Sequence, residues 1–440
     1  MSEIDNLLQK IERREARVGI IGLGYVGLPL ALVFHEAGFP VLGFEVDAKK
    51  PEMLRAGQSY IKHIGADRVA AVFTSGRTDA TTDFDRLAEC DAVLICVPTP
   101  LGKHREPDLS YIRITAEEIG KRVRAGQLIV LESTTYPGTT REIVVPRLEK
   151  SGLKAGVDFF VAFSPEREDP GNEKHNTRTI PKVVGGLDEP STRAAVALYS
   201  ASIDHVVPVS SPEVAESAKL LENIFRAVNI ALANEMKVVL DRMGIDVWEV
   251  IEAAKTKPFG FMPFYPGPGL GGHCIPLDPF YLSWKAAEHG VWARFIELSG
   301  EVNASMPRYV IEKTVRALND RGKSIRGAKV CVLGLSYKAD IDDDRESPSF
   351  ELIELLQERG AEVEYCDPHI PRSHAGRKHN FERESVPCTA ESFAQFDALV
   401  VSTAHAAFKD QTLYTNAQLV IDTRNVIAPE ALPGGRVVKA

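Results

Sequence analysis

The chain has no apolar run approaching the ~18 residues that a membrane-spanning helix needs, so no span is expected. It has no CxxC pair: its six cysteines, Cys90, Cys96, Cys274, Cys331, Cys366 and Cys388, are scattered. Three of these, Cys96, Cys331 and Cys366, lie in apolar strand-like runs, which predicts free thiols in a reducing cytoplasm rather than disulfides, and no metal is expected. An excess of basic charge is also missing. With 52 Lys and Arg against 61 Asp and Glu, the net charge is -9, which argues against a general nucleic-acid binder. Any anionic ligand must then be held by local basic groups. The first residues, MSEIDNLLQKIERREA, lack the apolar core of a signal peptide and read as a short amphipathic helix, so a cytoplasmic location is expected.

What is present is organised in repeating units. At 440 residues the chain is long enough for two or three domains with sizeable cores. Val18 to Ile21 is a short apolar strand running into Gly22-Leu23-Gly24-Tyr25-Val26-Gly27. A helical stretch, Leu28 to Ala37, follows, then a second strand, Val41 to Phe44, ending at Glu45. This is a dinucleotide fingerprint in its strand–turn–helix–strand setting. Gly22 permits the tight turn, Gly24 a close pyrophosphate approach and Gly27 close helix packing. Glu45 stands where a carboxylate accepts from both ribose hydroxyls. It favours NAD over NADP, and Lys49 and Lys50 weaken that preference slightly. Further strands end in Pro98-Thr99, in Ser133-Thr134 and in Ser164-Pro165-Glu166. Ligands collect at the carboxyl ends of parallel strands, so Thr99, Ser133, Thr134 and Glu166 are candidates to line one cleft.

From about Pro212 to Lys255 the pattern is helical, broken at Gly244. Lys219 and Asn223 fall one turn apart on one face. The competing reading of Lys219 is a surface lysine paired with Glu216 or Glu222. Gly267 to Pro279, GPGLGGHCIPLDP, has four glycines and three prolines and reads as a shaped loop, neither helix nor strand. Cys274 in that loop is a candidate nucleophile. From Lys329 the strand–helix–strand plan returns without the glycine triplet. The strand ends there carry Lys338, Arg345 and Arg424, which suit a diphosphate or carboxylate. The expected class is α/β. Two Rossmann-like doubly wound domains, residues 1–210 and 316–440, flank a central helical region, 211–315, able to carry a dimer interface.

Gly22–Gly27, Glu45, Ser133-Thr134, Ser164-Pro165-Glu166, Lys219 with Asn223, GGHCIPLD, YKADIDDDRES and Asp422-Thr423-Arg424-Asn425 resemble, in order, the motifs of the nucleotide-sugar 6-dehydrogenases. The resemblance covers nearly the whole chain. Lys257 to Ala286 is worded most like the UDP-N-acetylglucosamine 6-dehydrogenases of bacterial surface polysaccharide and lipopolysaccharide synthesis. UDP-glucose, UDP-N-acetylmannosamine and GDP-mannose are the alternative substrates. The resemblance implies a four-electron oxidation of a sugar C6 alcohol to a carboxylate with two NAD. Cys274 would form a thiohemiacetal and then a thioester. Lys219 and Asn223 would steady oxyanions and water, Asp278 would assist as base or water-orienter, and Thr134 and Glu166 would line the reacting end. UDP-glucose members carry a second glutamate four residues after the one matching Glu166. Here that position is Pro170, so the base is Glu166 alone or Glu168.

The cofactor contacts implied are Gly22, Gly24, Tyr25, Val26, Gly27, Glu45, Lys50, Pro98, Thr99, Ser133 and Thr134, with Arg345 reaching from the second half. The substrate contacts implied are Glu166, Arg167, Lys219, Asn223, Phe264, Tyr265, Gly269, Gly271, Lys338 and Arg424. The partners implied are a UDP-sugar and a second copy of the chain. Two other readings use part of the same sequence. One is a two-electron hydroxyacid-type dehydrogenase in which Cys274 is structural. The other is a non-catalytic NAD sensor.

Overall fold

The computed structural model describes residues 2–440 except 62–63, 103–105, 168–175, 273, 374–378, 380, 429–431, 433 and 435, and for Cys274 the backbone alone. The chain divides into two compact units, Met1–Glu222 with Phe280–Trp292, and Asn223–Pro279 with Ala293–Ala440.

Among its described residues the first unit holds eight strands: Val18–Ile21 (β1), Val41–Phe44 (β2), Thr78–Thr81 (β3), Ala92–Ile95 (β4), Leu128–Leu131 (β5), Phe160–Phe163 (β6), Lys182–Gly186 (β7) and Val206–Val209 (β8). β1, β2, β4, β5 and β6 are buried at every position, as expected of parallel strands covered on both faces. The sheet order is β3-β2-β1-β4-β5-β6-β7-β8, parallel from β3 through β6. The chain turns back between β1 and β4, and the carboxyl ends on either side of such a switch are where a ligand lies. β7 runs antiparallel to β6 and carries β8 parallel to itself. This reversal is not legible in the sequence, and it puts the first residue of β7 at the carboxyl edge of the parallel strands. The helix after it, Glu189–Ser200, is capped by Asp188, whose carboxylate accepts from the Ser191 N–H at 2.8 Å.

The second unit carries a five-stranded, all-parallel sheet of Lys329–Leu333 (β9), Glu362–Cys366 (β10), Ala398–Val401 (β11), Val420–Asp422 (β12) and Val437–Lys439 (β13), in the order β10-β9-β11-β12-β13. Alternate residues feed two cores. Val330, Val332 and Val400 pack on one face, and Cys331, Leu333, Leu399 and Val401 on the other. Ser347 caps the helix Pro348–Glu358 that follows the first turn. The helix Pro212–Arg242 is 31 residues long, about 46 Å at 1.5 Å per residue. The turn at Gly244, φ +75°, ends it, and Asp246 caps the next helix, Val247–Lys255.

One expectation is corrected. The stretch Gly267–Pro279 is not loop throughout: a helix begins at Cys274 and runs to Glu288. Pro276 falls in its first turn, where a missing N–H costs nothing because no intrahelical acceptor exists there. Pro279 lies inside the helix. Counting prolines therefore mistook a helix start for a loop.

Candidate active site

The glycine turn after β1 is built around close approaches. Gly22 has φ +90°, and a Cβ there would lie 2.5 Å from the Cys96 carbonyl oxygen. A Cβ on Gly27 would lie 1.9 Å from the Gly22 carbonyl oxygen, so only glycine lets the helix Gly27–Glu36 start against the turn. Gly24 differs: no heavy atom lies within 4 Å of its Cβ position. The helix start has no side-chain cap and no acidic residue in its first turn, which suits an anion. Tyr25 is partly exposed beside it, and Val26 precedes the first helical residue. Glu45 is 7 % exposed. Its carboxylate accepts from the Leu23 N–H at 3.2 Å and the Val46 N–H at 3.0 Å, and pairs with Lys50 at 2.9 Å. Open space at Gly24, an uncapped helix start and a fixed acid at the end of β2 fit a dinucleotide. Pro98 is exposed, and the Thr99 carbonyl accepts from the Tyr281 hydroxyl. The Ser133 hydroxyl is buried and spent on strand ends: it receives the Val97 N–H at 3.0 Å and donates to the Val97 carbonyl at 2.8 Å. Thr134 beside it is half-buried.

Beyond β5 and β6 lies a buried charged cluster that sequence reasoning missed. Glu132 is 1 % and Lys182 4 % exposed. The Lys182 ammonium stands 2.6 Å from Glu132 and 3.5 Å from Glu166, and the Tyr199 hydroxyl donates to the other Glu132 oxygen. Burial pushes the Glu132 carboxyl up, partly offset by Lys182. Burial opposes the Lys182 charge, and Glu132 and Glu166 outweigh it, so its pKa is raised. The signal that would have found Lys182 is its position opposite Glu166 across the antiparallel β6–β7 pair, which needs the reversed strand to be known. Lys219 is 7 % exposed and donates to the Glu166 carbonyl. The surface-lysine reading fails: Glu222 is taken by Arg167, at 2.5 and 3.1 Å, and Glu216 by the Gly138 and Thr140 N–H groups. Glu168 and Pro170 lie outside the described residues.

In the second unit Asn223 and Asp278 meet. Asn223 is 1 % and Asp278 4 % exposed. The Asn223 amide donates to Asp278 at 2.5 Å and its carbonyl accepts from Arg226. Cys274 opens the helix that carries Asp278, and its side chain lies outside the described residues. The glycine segment ahead of it is packed tightly. A Cβ at Gly269 would lie 3.0 Å from Pro348, and one at Gly271 2.6 Å from the Tyr337 Cβ. Phe264 meets Phe225 edge-on, and Tyr265 stacks on Trp248 and donates to Glu252 at 2.6 Å. Gly267 donates its N–H to Asn234 at 2.9 Å, and a Cβ there would lie 2.4 Å from the Arg424 guanidinium. Arg424 donates to the Ser402 carbonyl at 2.7 Å. Burial lowers its pKa to about 10, against the charge of Asp422. It remains a cation at neutral pH and suits a buried anion. Arg345 is folded onto Asp343 through contacts of 2.6 to 3.0 Å, and Lys338 is half-buried nearby in sequence.

The two sheets repeat one device. Gly22 and Gly334 both have φ +90° and both donate to the carbonyl ending the neighbouring strand, Phe44 or Cys366, at 2.8 Å. The next residue there is an acid, Glu45 or Asp367, that accepts the N–H of Leu23 or Leu335. In the second sheet the acid is sealed. Asp367 and His405 are fully buried and 3.1 Å apart, and Ser336 also donates to Asp367 through its N–H. The Asp367 carboxylate is therefore not open to a ribose.

Three family models match in series. The NAD binding domain of the UDP-glucose/GDP-mannose dehydrogenase family matches residues 16–203, its central domain 213–305 and its UDP binding domain 331–429. The chain is 36 % identical over 399 residues to a UDP-N-acetyl-D-glucosamine 6-dehydrogenase of Pseudomonas aeruginosa, covering 90 % of this chain and 92 % of that one. Among solved structures, the UDP-D-ManNAc dehydrogenase of Pyrococcus horikoshii superimposes with a TM-score of 0.85 at 31 % identity, over 94 % of this chain and 96 % of that one. An NDP-N-acetyl-D-galactosaminuronic acid dehydrogenase of Methanosarcina mazei does so with a TM-score of 0.82 at 33 % identity, over 100 % and 97 %.

Proposed function

The chain belongs to the UDP-glucose/GDP-mannose dehydrogenase family, and we propose that within it the substrate is UDP-N-acetyl-D-glucosamine, oxidised at C6 to the uronate for surface polysaccharide synthesis. It is an NAD-dependent nucleotide-sugar dehydrogenase. The observation that carries the finer reading is the 36 % identity, spread over nine-tenths of the chain, to a relative named for that substrate. The relatives named above act on three different N-acetylated sugars, so the acetamide is their shared feature.

The overall change is an alcohol and water becoming a carboxylate, with two hydrides and three protons released. NAD, when bound, accepts the hydrides. Cys274 adds to the C6 aldehyde as a thiolate, giving a thiohemiacetal that is oxidised to a thioester, so that a free aldehyde is never released. Lys219 and Asn223, one turn apart on Pro212–Arg242, donate to the oxygen that gains charge. Asp278, held by the Asn223 amide, orients the hydrolytic water. Glu166 takes the proton from the alcohol, and later from water, with Thr134 beside it. Arg424 and Lys338 hold the diphosphate, Arg167, Phe264, Tyr265, Gly269 and Gly271 shape the sugar pocket, and Arg345 serves the cofactor. Three of the other thiols, Cys90, Cys96 and Cys331, are poor candidates for the nucleophile. Burial pushes Cys90 up to about 12 and Cys96 and Cys331 well above the ordinary range. A domain order of 1–210, 211–315 and 316–440 fits these roles. Self-association is supported by a stripe of exposed Leu221, Phe225, Leu232, Met236 and Val239 along one helix.

The test is NADH release with UDP-N-acetylglucosamine, UDP-N-acetylmannosamine, UDP-glucose and GDP-mannose side by side. The reading requires the highest kcat/KM with the first and two NADH per sugar. A preference for another sugar overturns the substrate, and one NADH per sugar overturns the double oxidation.

A further inference from the structure

Among the described residues of the buried cluster, Lys182 touches a proposed catalytic residue yet has no role in the chemistry above. It is the first residue of β7, the antiparallel strand, and so stands at the carboxyl edge, where Glu132 and Glu166 follow the ends of β5 and β6. The β6–β7 pairing sets Ala162 opposite Gly186 and Phe163 opposite Gly185. The same register continued brings Glu166 opposite Lys182, and the 3.5 Å contact agrees. A lysine 4 % exposed needs one carboxylate to offset its burial, and Glu132 at 2.6 Å supplies it. The second acid, Glu166, is not needed for that. Its carboxylate is more open, at 14 % side-chain exposure, and its backbone carbonyl is fixed by Lys219.

We propose that Lys182 is a positioning residue, holding the Glu166 carboxylate ionised and aimed for proton removal while Glu132 absorbs the rest of its charge. The proposal rests on the reading of Glu166 as the base. Among the described residues the groups facing Lys182 are Glu132 from β5's end, Glu166 from β6's end, the Tyr199 ring at 5.4 Å from the helix Glu189–Ser200, and the Cys96 thiol, and Glu166 itself also meets the Arg167 N–H at 2.7 Å and, at its carbonyl, Lys219. An opposite charge within ~4–6 Å lowers a carboxylate's pKa by about one to three units. Two variants of the full-length enzyme should then move the acid limb of the kcat–pH profile in opposite directions. Glu132→Gln leaves the whole lysine charge on Glu166, and the limb moves to lower pH. The double variant Glu132→Gln with Lys182→Met removes both buried charges without orphaning either. The limb moves to higher pH by about one unit or more, and kcat near neutrality falls at least ~10-fold. The Kd for NAD stays unchanged in both. Lys182→Arg, which keeps the charge, restores most of kcat and guards against a double variant that does not fold. A limb at the wild-type pH in both variants, or displaced the same way in both, overturns the inference. So does Lys182→Arg behaving like a charge-free variant. Glu166→Gln separates the two claims. If it retains wild-type kcat, the base reading fails. If it is inactive and the limbs still do not separate, only the role of Lys182 fails.

Discussion

Gly24 and Gly27 are three residues apart in one turn, and replacing each by alanine should break different things. At Gly27 the new methyl would sit 1.9 Å from the Gly22 carbonyl oxygen. An ordinary C···O approach is about 3.3 Å, so the helix start must move by about 1.4 Å. It cannot do so freely, because Leu28, Leu30, Leu32 and Phe34 on that helix are all fully buried. Overpacking of this kind costs about 1–3 kcal/mol or more. In a unit of this size each kcal/mol lowers Tm by about 2–4 °C. At Gly24 nothing lies within 4 Å and the backbone is outside the left-handed region. Alanine there stabilises the apo fold by about 0.4–1 kcal/mol, through the unfolded chain. The methyl instead occupies the space that the pyrophosphate needs, and NAD binding weakens at least ~10-fold, about 1.4 kcal/mol. The assay is a thermal melt without ligand beside NAD titration calorimetry. The expected result is Gly24→Ala with an equal or higher Tm and lost NAD affinity, and Gly27→Ala with a Tm lower by several degrees. Equal Tm losses in both variants would refute the reasoning.

Two further predictions concern residues outside the chemistry. Burial pushes the Glu216 carboxyl to about 7, although the Gly138 and Thr140 N–H groups and the Thr140 hydroxyl donate to it at 2.6, 2.9 and 2.7 Å. A folded-state value raised above the unfolded 4.5 means that its contribution is full below about pH 4.5 and lost as pH rises through about 7. The loss is on the order of 3 kcal/mol, and Glu216→Gln should flatten it. Urea midpoints at pH 5 and 7.5 check this, and an unchanged slope in the variant contradicts it. Asn234 is fully buried, accepts the Gly267 N–H and donates to Asn303 at 2.9 Å, and Asn303 in turn donates to the Ala227 carbonyl. Asn234→Ala leaves two buried groups unpaired, costs about 1–3 kcal/mol, and frees the segment beside Arg424. KM for the UDP-sugar should rise at unchanged NAD affinity, and steady-state kinetics that leave KM unmoved would contradict this.

The parts that could be read from the sequence were those set by local rules. Unbroken apolar runs located β1, β4, β5 and β9, the first and last of them running into a glycine, because parallel strands buried on both faces read as continuous apolar stretches. Glu45 was found because its spacing from the glycines is fixed by one βαβ unit. Lys182 and Glu132 were not found, because their meeting depends on β7 running backwards, a fact of long-range pairing. Asp367 was passed over because His405, which seals it, lies 38 residues away. The Gly267–Pro279 segment was misread for the opposite reason. Its prolines are strong local signals, yet Pro276 in a first helical turn breaks nothing.

The central claim is that one sulfur carries the sugar between its two oxidations. The measurement that addresses it directly is the yield of sugar acid from UDP-N-acetylglucosamine by Cys274→Ser, with NAD binding measured on the same preparation. The account predicts no sugar acid above background and an NAD Kd equal to that of the wild type. Sugar acid formed at the wild-type rate would contradict it.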